Sequence, residues 1–325
     1  MSDLLIAVRA THFASSIALA GTLVFDACVA GPALRHARAL RSFDAWRRWW
    51  ILVAWVSLGA AVLSGVAWLL ITAADIGGQT LVDVFSSDIV WRVLAHTRFG
   101  ADWSARLAMA LLLAGGLVAI ARRRERSSDY LPVLLALLAS LFLGSLAWSG
   151  HASGTPGLAG SAHVAVDLVH LVAAGAWLGG LLPLALLYAA ARRATEPADA
   201  SVTRAATHRF STLGVIAVGT LLATGLVNTF LLAGSVQALI ATDYGRLLLL
   251  KMALFVAMVC IAVFNRLHLT PRLSIERDAA AARRQLQRNC LVELAIGLAI
   301  LVIVGALGTL PPGLHAIPSA HVHEM

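Results

Sequence analysis

Long apolar stretches separated by short polar ones set the rhythm of this chain. Eight runs of mostly apolar residues fall at 4–26, 49–74, 102–121, 131–149, 163–190, 212–233, 245–265 and 291–310. As helices rising about 1.5 Å per residue, such runs cross roughly 30 Å of hydrocarbon. Lipid offers no hydrogen-bond partners, so a spanning segment must satisfy its own backbone, and apolar runs of this length do so as helices. The predicted fold class is therefore an all-α polytopic membrane protein with eight transmembrane helices. Between the second and third runs, over 75–101, Leu81, Phe85, Ile89 and Val93 recur every four residues. That spacing predicts an amphipathic helix lying on the membrane surface. The first run starts almost at Met1 with no small-residue cleavage signature after it, and is expected to be a retained span rather than a signal peptide.

Composition agrees: 59% hydrophobic, 13% charged, with a mean hydropathy of +0.83, which no ordinary soluble domain shows. The net charge of +8 is consequently not a nucleic-acid signal, because the basic residues are sorted by loop. Arg35, Arg38, Arg41, Arg47 and Arg48 fall in 27–48; Arg122, Arg123, Arg124 and Arg126 in 122–130; Arg192, Arg193, Arg204 and Arg209 in 191–211; and Arg266, Arg272, Arg277, Arg283, Arg284 and Arg288 in 266–290. The intervening loops are nearly free of them. By the positive-inside rule the arginine-rich loops are cytoplasmic, which places both termini outside.

Polar groups inside the spans carry the functional signal, since ionisable residues there are expensive and face a bundle interior. In the fifth run His163, Asp167 and His170 share roughly 60° of one helical face, with Trp177 on the same side. The two halves of the chain also resemble each other. His12 aligns with His170, Gly21 with Gly179, Arg9 with Asp167, Ser64-Gly65 with Thr224-Gly225, and Arg106 with Lys251. These matches, in one order, predict two tandem four-helix repeats related by a pseudo-two-fold axis along the membrane normal. The first covers 1–150 with the outer amphipathic loop, the second 151–314, and a His/Met tail occupies 315–325. His12 and His170 then lie at one depth and could converge on one site, with Arg9 and Asp167 pairing across the axis.

The candidate chemistry is metal binding on the outer side. His12, His151, His163 and His170 supply imidazoles, which suit copper, zinc and iron, and thioethers add a preference for Cu(I). Met109 and Met252 lie near the same depth, and His321 and His323 sit in the tail. Each has a plainer reading: the methionines as core filler, the tail as a loose end, and a buried histidine as a helix–helix hydrogen bond. Arg106 and Lys251 read as snorkelling to headgroups or as contacts to an anionic group. Cys28, Cys260 and Cys290 fall in the inner half, either as small buried hydrophobes or as soft ligands for Cu(I). No phosphate-binding glycine loop, HExxH or intramembrane Cys-Pro-Cys is present; neither ATP-driven pumping nor an enzyme activity is expected.

Taken together, Ser149-Gly150-His151-Ala152, Asp167-Leu168-Val169-His170 with Trp177-Leu178-Gly179-Gly180, Thr224-Gly225-Leu226-Val227-Asn228, Tyr244-Gly245-Arg246 with Lys251, Asn265-Arg266 and Gly308-Thr309-Leu310-Pro311-Pro312-Gly313 resemble the CopD/PcoD copper resistance inner-membrane proteins. The resemblance covers most of the chain. It implies an inner-membrane protein that handles copper, as Cu(I) or Cu(II), between periplasm and cytoplasm in the import direction. A separate periplasmic CopC-like copper-binding protein would be its partner, since no such domain is fused here. Two alternatives stand beside it. One is a membrane electron carrier holding haem b between His12 and His170. The other is a copper-binding scaffold that transports nothing.

Overall fold

The computed structural model describes residues 2–37, 40–122, 130–149, 157–191, 197–233 and 236–311, and every regular element among them is helical. In chain order these are α1 (Ser2–Phe25), α2 (Gly31–Ala37), α3 (Leu40–Gly77), α4 (Ile89–His96), α5 (Arg98–Arg122), α6 (Tyr130–Gly144), α7 (Gly157–Ala191), α8 (Pro197–Ala233), α9 (Val236–Ala241), α10 (Asp243–Phe264) and α11 (Glu276–Leu307). Among the described residues eight helical segments are long and apolar enough to cross a membrane, matching the eight runs. Several are longer than the runs: α3, α8 and α11 each begin with a charged stretch that continues the helix beyond the apolar segment. The outside of the bundle carries Leu52, Val56, Leu63, Leu111, Leu137, Phe230 and Val302, all exposed, as a lipid-facing surface requires.

α1 and α7 are central. Of their most apolar stretches 72% and 67% is buried, against 11% for those of α8 and α10, which pack at the periphery. The two central helices cross at Gly21 and Gly179. A Cβ on Gly21 would lie 2.2 Å from the backbone carbon of Gly179, and one on Gly179 would lie 2.1 Å from the Ile17 carbonyl oxygen. Only glycine lets two backbones approach so closely. The residues that meet at this crossing are the two glycines matched between the halves.

α1 leads into α2 through a π-turn at Asp26–Ala30, and α10 ends in another at Asn265–Leu269. Single π-turns often mark functional positions. The loop after α3 departs from its expected form. The four-residue period is broken by a 3-10 turn at Asp83–Phe85, and only Ile89–His96 forms an α-helix. Val84, Ile89 and Val93 are buried, whereas Phe85 is 76% exposed. α4 lies against α3 and α5; the turn reset the helical phase, so Val84 rather than Phe85 faces inward.

Candidate functional site

His12, at the middle of α1, has no solvent exposure. Its ring sits among Trp68 and Trp103, with centroids 5.7 and 5.3 Å away. Arg106 of α5 reaches it from the side. One guanidinium nitrogen, Nη1, donates to the Phe142 carbonyl at 2.6 Å and to Ser145 Oγ at 2.5 Å; Nη2 donates to His12 Nε2 at 2.7 Å. Because arginine only donates, Nε2 is the acceptor and the proton sits on Nδ1. That N–H donates to Ser64 Oγ at 3.1 Å, and Ser64 passes its own proton to the Ala60 carbonyl at 2.6 Å. Both imidazole nitrogens of His12 are therefore spoken for.

His170 on α7 repeats half of this arrangement. Its Nδ1 lies 2.9 Å from Thr224 Oγ1, and Thr224 donates to the Thr220 carbonyl at 2.7 Å. The threonine proton being committed, Nδ1–H of His170 must be the donor, which leaves the lone pair on Nε2. A histidine oriented this way through its second nitrogen is the usual state of a metal-ligating imidazole. One turn earlier on the same face, Asp167 Oδ1 accepts from Asn228 Nδ2 at 3.2 Å. Lys251 is within electrostatic reach of both Asp167 and His170. His163 is buried at 4% exposure a further turn toward the N-terminus of α7, and Trp177 is buried on the C-terminal side.

His12 and His170 each meet a hydroxyl of the following long helix, Ser64 and Thr224, but Arg106 bonds His12 directly whereas Lys251 acts on His170 only through its charge. The two histidines do not meet. Each lies nine positions before its crossing glycine, but His12 turns to α3 and α5 while His170 turns to α8. Arg9 does not pair with Asp167 either; its guanidinium carbon lies 4.5 Å above the Trp68 ring centroid, where cation–π attraction holds it. Arg106 is not a snorkelling residue but is 1% exposed, since its partners come from α6 and α1. A haem held by both histidines would need two open Nε2 atoms, and Arg106 takes that of His12, so the residues do not fit axial ligation by this pair. Met109 packs partly buried against the core, and Met252 is 40% exposed on the outside of α10. His151, His321 and His323 lie outside the described residues. Among the described residues no three His, Cys, Asp or Glu side chains cluster tightly enough to cage a metal by themselves.

Sequence reasoning passed over a second polar locus. Glu293 of α11 is 2% exposed and accepts from Asn265 Nδ2 at 2.8 Å. Its signal was an acid within the apolar run 291–310, which the search for histidines and methionines did not consider. Glu293 borders a cavity of about 310 Å³ between α7, α8, α10 and α11, toward the arginine-rich end.

Comparison with known proteins covers nearly the whole chain. Residues 1–161 match the family described as copper resistance protein D-like, N-terminal domain, and residues 204–307 match copper resistance protein D. The chain is similar to Inner membrane protein YebZ of Escherichia coli (strain K12), 32% identical over 94% of this chain and 98% of that protein. It is similar to Copper resistance protein D of Pseudomonas syringae pv. tomato, 28% identical over 96% of this chain and 97% of that protein. Copper transport protein CutJ of Bacillus subtilis (strain 168) is 31% identical over 74% of this chain, which spans 42% of that longer protein.

Proposed function

The chain belongs to the copper resistance protein D family, and on that basis we propose that it is a multi-pass inner-membrane protein that binds copper and carries it from periplasm to cytoplasm. The observation that supports this most is His170: a histidine in the middle of a central span, its Nδ1–H fixed by Thr224 and its Nε2 lone pair unclaimed, beside a carboxylate. Copper handed over by a periplasmic CopC-like protein is gathered by His151 and His163, with the His321/His323 tail assisting, and settles between His170 and Asp167. Imidazole suits either oxidation state of copper. The Asp167 carboxylate offsets the charge of the ion, and Lys251 offsets that carboxylate when the site holds none.

The two halves are repeats whose sites have diverged. Nearest the two histidines, the second half sets Asp167 and Lys251 beside His170, whereas the first sets the cationic Arg9 and Arg106 beside His12. The first-half site therefore repels a metal ion, and Arg106 occupies the nitrogen that a metal would use. His12 serves as the anchor of Arg106, and rocking of one repeat against the other about the Gly21–Gly179 crossing would release the cargo inward. Copper uptake by proteoliposomes tests this: wild type accumulates copper, and His170→Ala does not. Equal uptake by the two contradicts the assignment.

A further inference from the structure

We propose that Glu293 is a proton-binding site, opened to the arginine-rich side of the membrane by the cavity it borders, and that it couples a proton to whatever the outer site carries. Copper as the cargo rests on the reading above; the proton site does not.

The carboxylate sits at the buried end of a chain of neutral amides. Gln285, exposed on α11, donates to Asn289 Oδ1 at 2.9 Å; Asn289 donates to Asn265 Oδ1 at 2.6 Å; Asn265 donates to Glu293 Oε1 at 2.8 Å. The direction of donation is set by the acceptor-only carboxylate at its end. The π-turn beginning at Asn265 puts that side chain in place, with the Asn265 backbone carbonyl accepting from the backbone N–H and hydroxyl of Thr270 at 2.8 and 2.9 Å. Among the described residues Glu293 has no ion-pair partner. The groups facing it from the neighbouring helices are Tyr188 of α7, hydrogen-bonded to Thr207 at 2.8 Å; Arg266 after α10, which donates to Ser211 Oγ at 2.7 Å; and Cys290 on α11 itself, 3% exposed. All line the same cavity.

A carboxylate in an apolar span with only neutral partners carries a large desolvation cost unless it takes up a cation. Sodium or calcium needs a shell of several oxygens. Here one oxygen of the carboxylate already faces an N–H donor, which repels a metal ion. The proton is the cation this arrangement accepts, and the cavity is its route. Among the described residues neither His170 nor Asp167 lines the cavity or joins the amide chain, so the site lies apart from the proposed metal position.

Dicyclohexylcarbodiimide, which modifies protonated carboxyl groups in apolar surroundings, tests the site on the full chain in liposomes. Peptide mass spectrometry is expected to find Glu293 modified, increasingly as the pH is lowered. A Glu293 that stays unmodified at every pH, while the denatured chain is modified, would overturn the proposal. Coupling is read separately with Glu293→Gln, which keeps an oxygen acceptor for Asn265. Wild-type copper uptake should accelerate under an imposed pH gradient and the variant's should not; equal responses overturn the coupling. If wild type moves no copper at all, the copper reading falls and the carbodiimide result alone decides the proton site.

Discussion

Replacing Thr224 by valine tests how the metal position is built, because it removes one atom's chemistry and little volume. In the native arrangement the Thr224 hydroxyl receives Nδ1–H of His170 at 2.9 Å and gives its own proton to Thr220 at 2.7 Å. Valine supplies a methyl group there. The imidazole loses the partner that fixes its tautomer and ring angle, and a partly buried N–H is left without an acceptor, worth about 1–3 kcal/mol. Loss of an outer hydrogen bond to a metal-ligating histidine typically weakens metal affinity by about 10–100-fold, or roughly 1.4–2.7 kcal/mol. The assay is competition for Cu(I) against a chelator of known affinity, on purified protein. Thr224→Ser, which restores the hydroxyl, should bind close to wild type, and His170→Ala should lose the site. Wild-type affinity in Thr224→Val, with His170→Ala still defective, would refute the claim that this hydrogen bond prepares Nε2.

Two further outcomes follow from the packing. Gly179→Ala places a Cβ 2.1 Å from the Ile17 carbonyl and should cost at least about 1–3 kcal/mol, seen as a lower melting temperature in detergent, while Gly59→Ala, with nothing within 4 Å, should leave it unchanged. Arg106→Met strips donors from the Phe142 carbonyl, Ser145 and His12 and should destabilise the fold by about 3 kcal/mol or more, with copper bound at His170 retained in the protein that folds. Arg106→Lys should recover only part of the loss, because an ammonium cannot span these acceptors as a planar fork does.

Much of this was legible in the chain, and the failures have physical causes. Apolar length set the eight spans, because lipid forces helices on any segment that crosses it. The match of Gly21 with Gly179 was visible as aligned letters and corresponds to a crossing of the two central helices where an added Cβ would meet backbone. Arg106 was misjudged because depth along a helix is readable from sequence while direction is not; its partners Phe142 and Ser145 lie at the end of α6 and in the 3-10 turn after it. The meeting of His12 with His170 failed for the same reason: equal depth did not imply a common face. The four-residue period of Leu81, Phe85, Ile89 and Val93 overlooked a turn that shifts phase, since Val84 satisfies burial as well as Phe85 would. Glu293 stood in plain view, but its partner Asn265 lies on a different helix end, joined to it only by the fold.

The central claim is that copper binds at His170 and that His12 belongs to Arg106. Elemental analysis of purified wild type, His170→Ala and His12→Ala, after copper supplementation, tests it most directly. Copper near one equivalent in wild type and His12→Ala, and absent from His170→Ala, is the expected result. Copper retained in His170→Ala, or iron that disappears with either histidine, would contradict it, and the second would return both histidines to haem ligation.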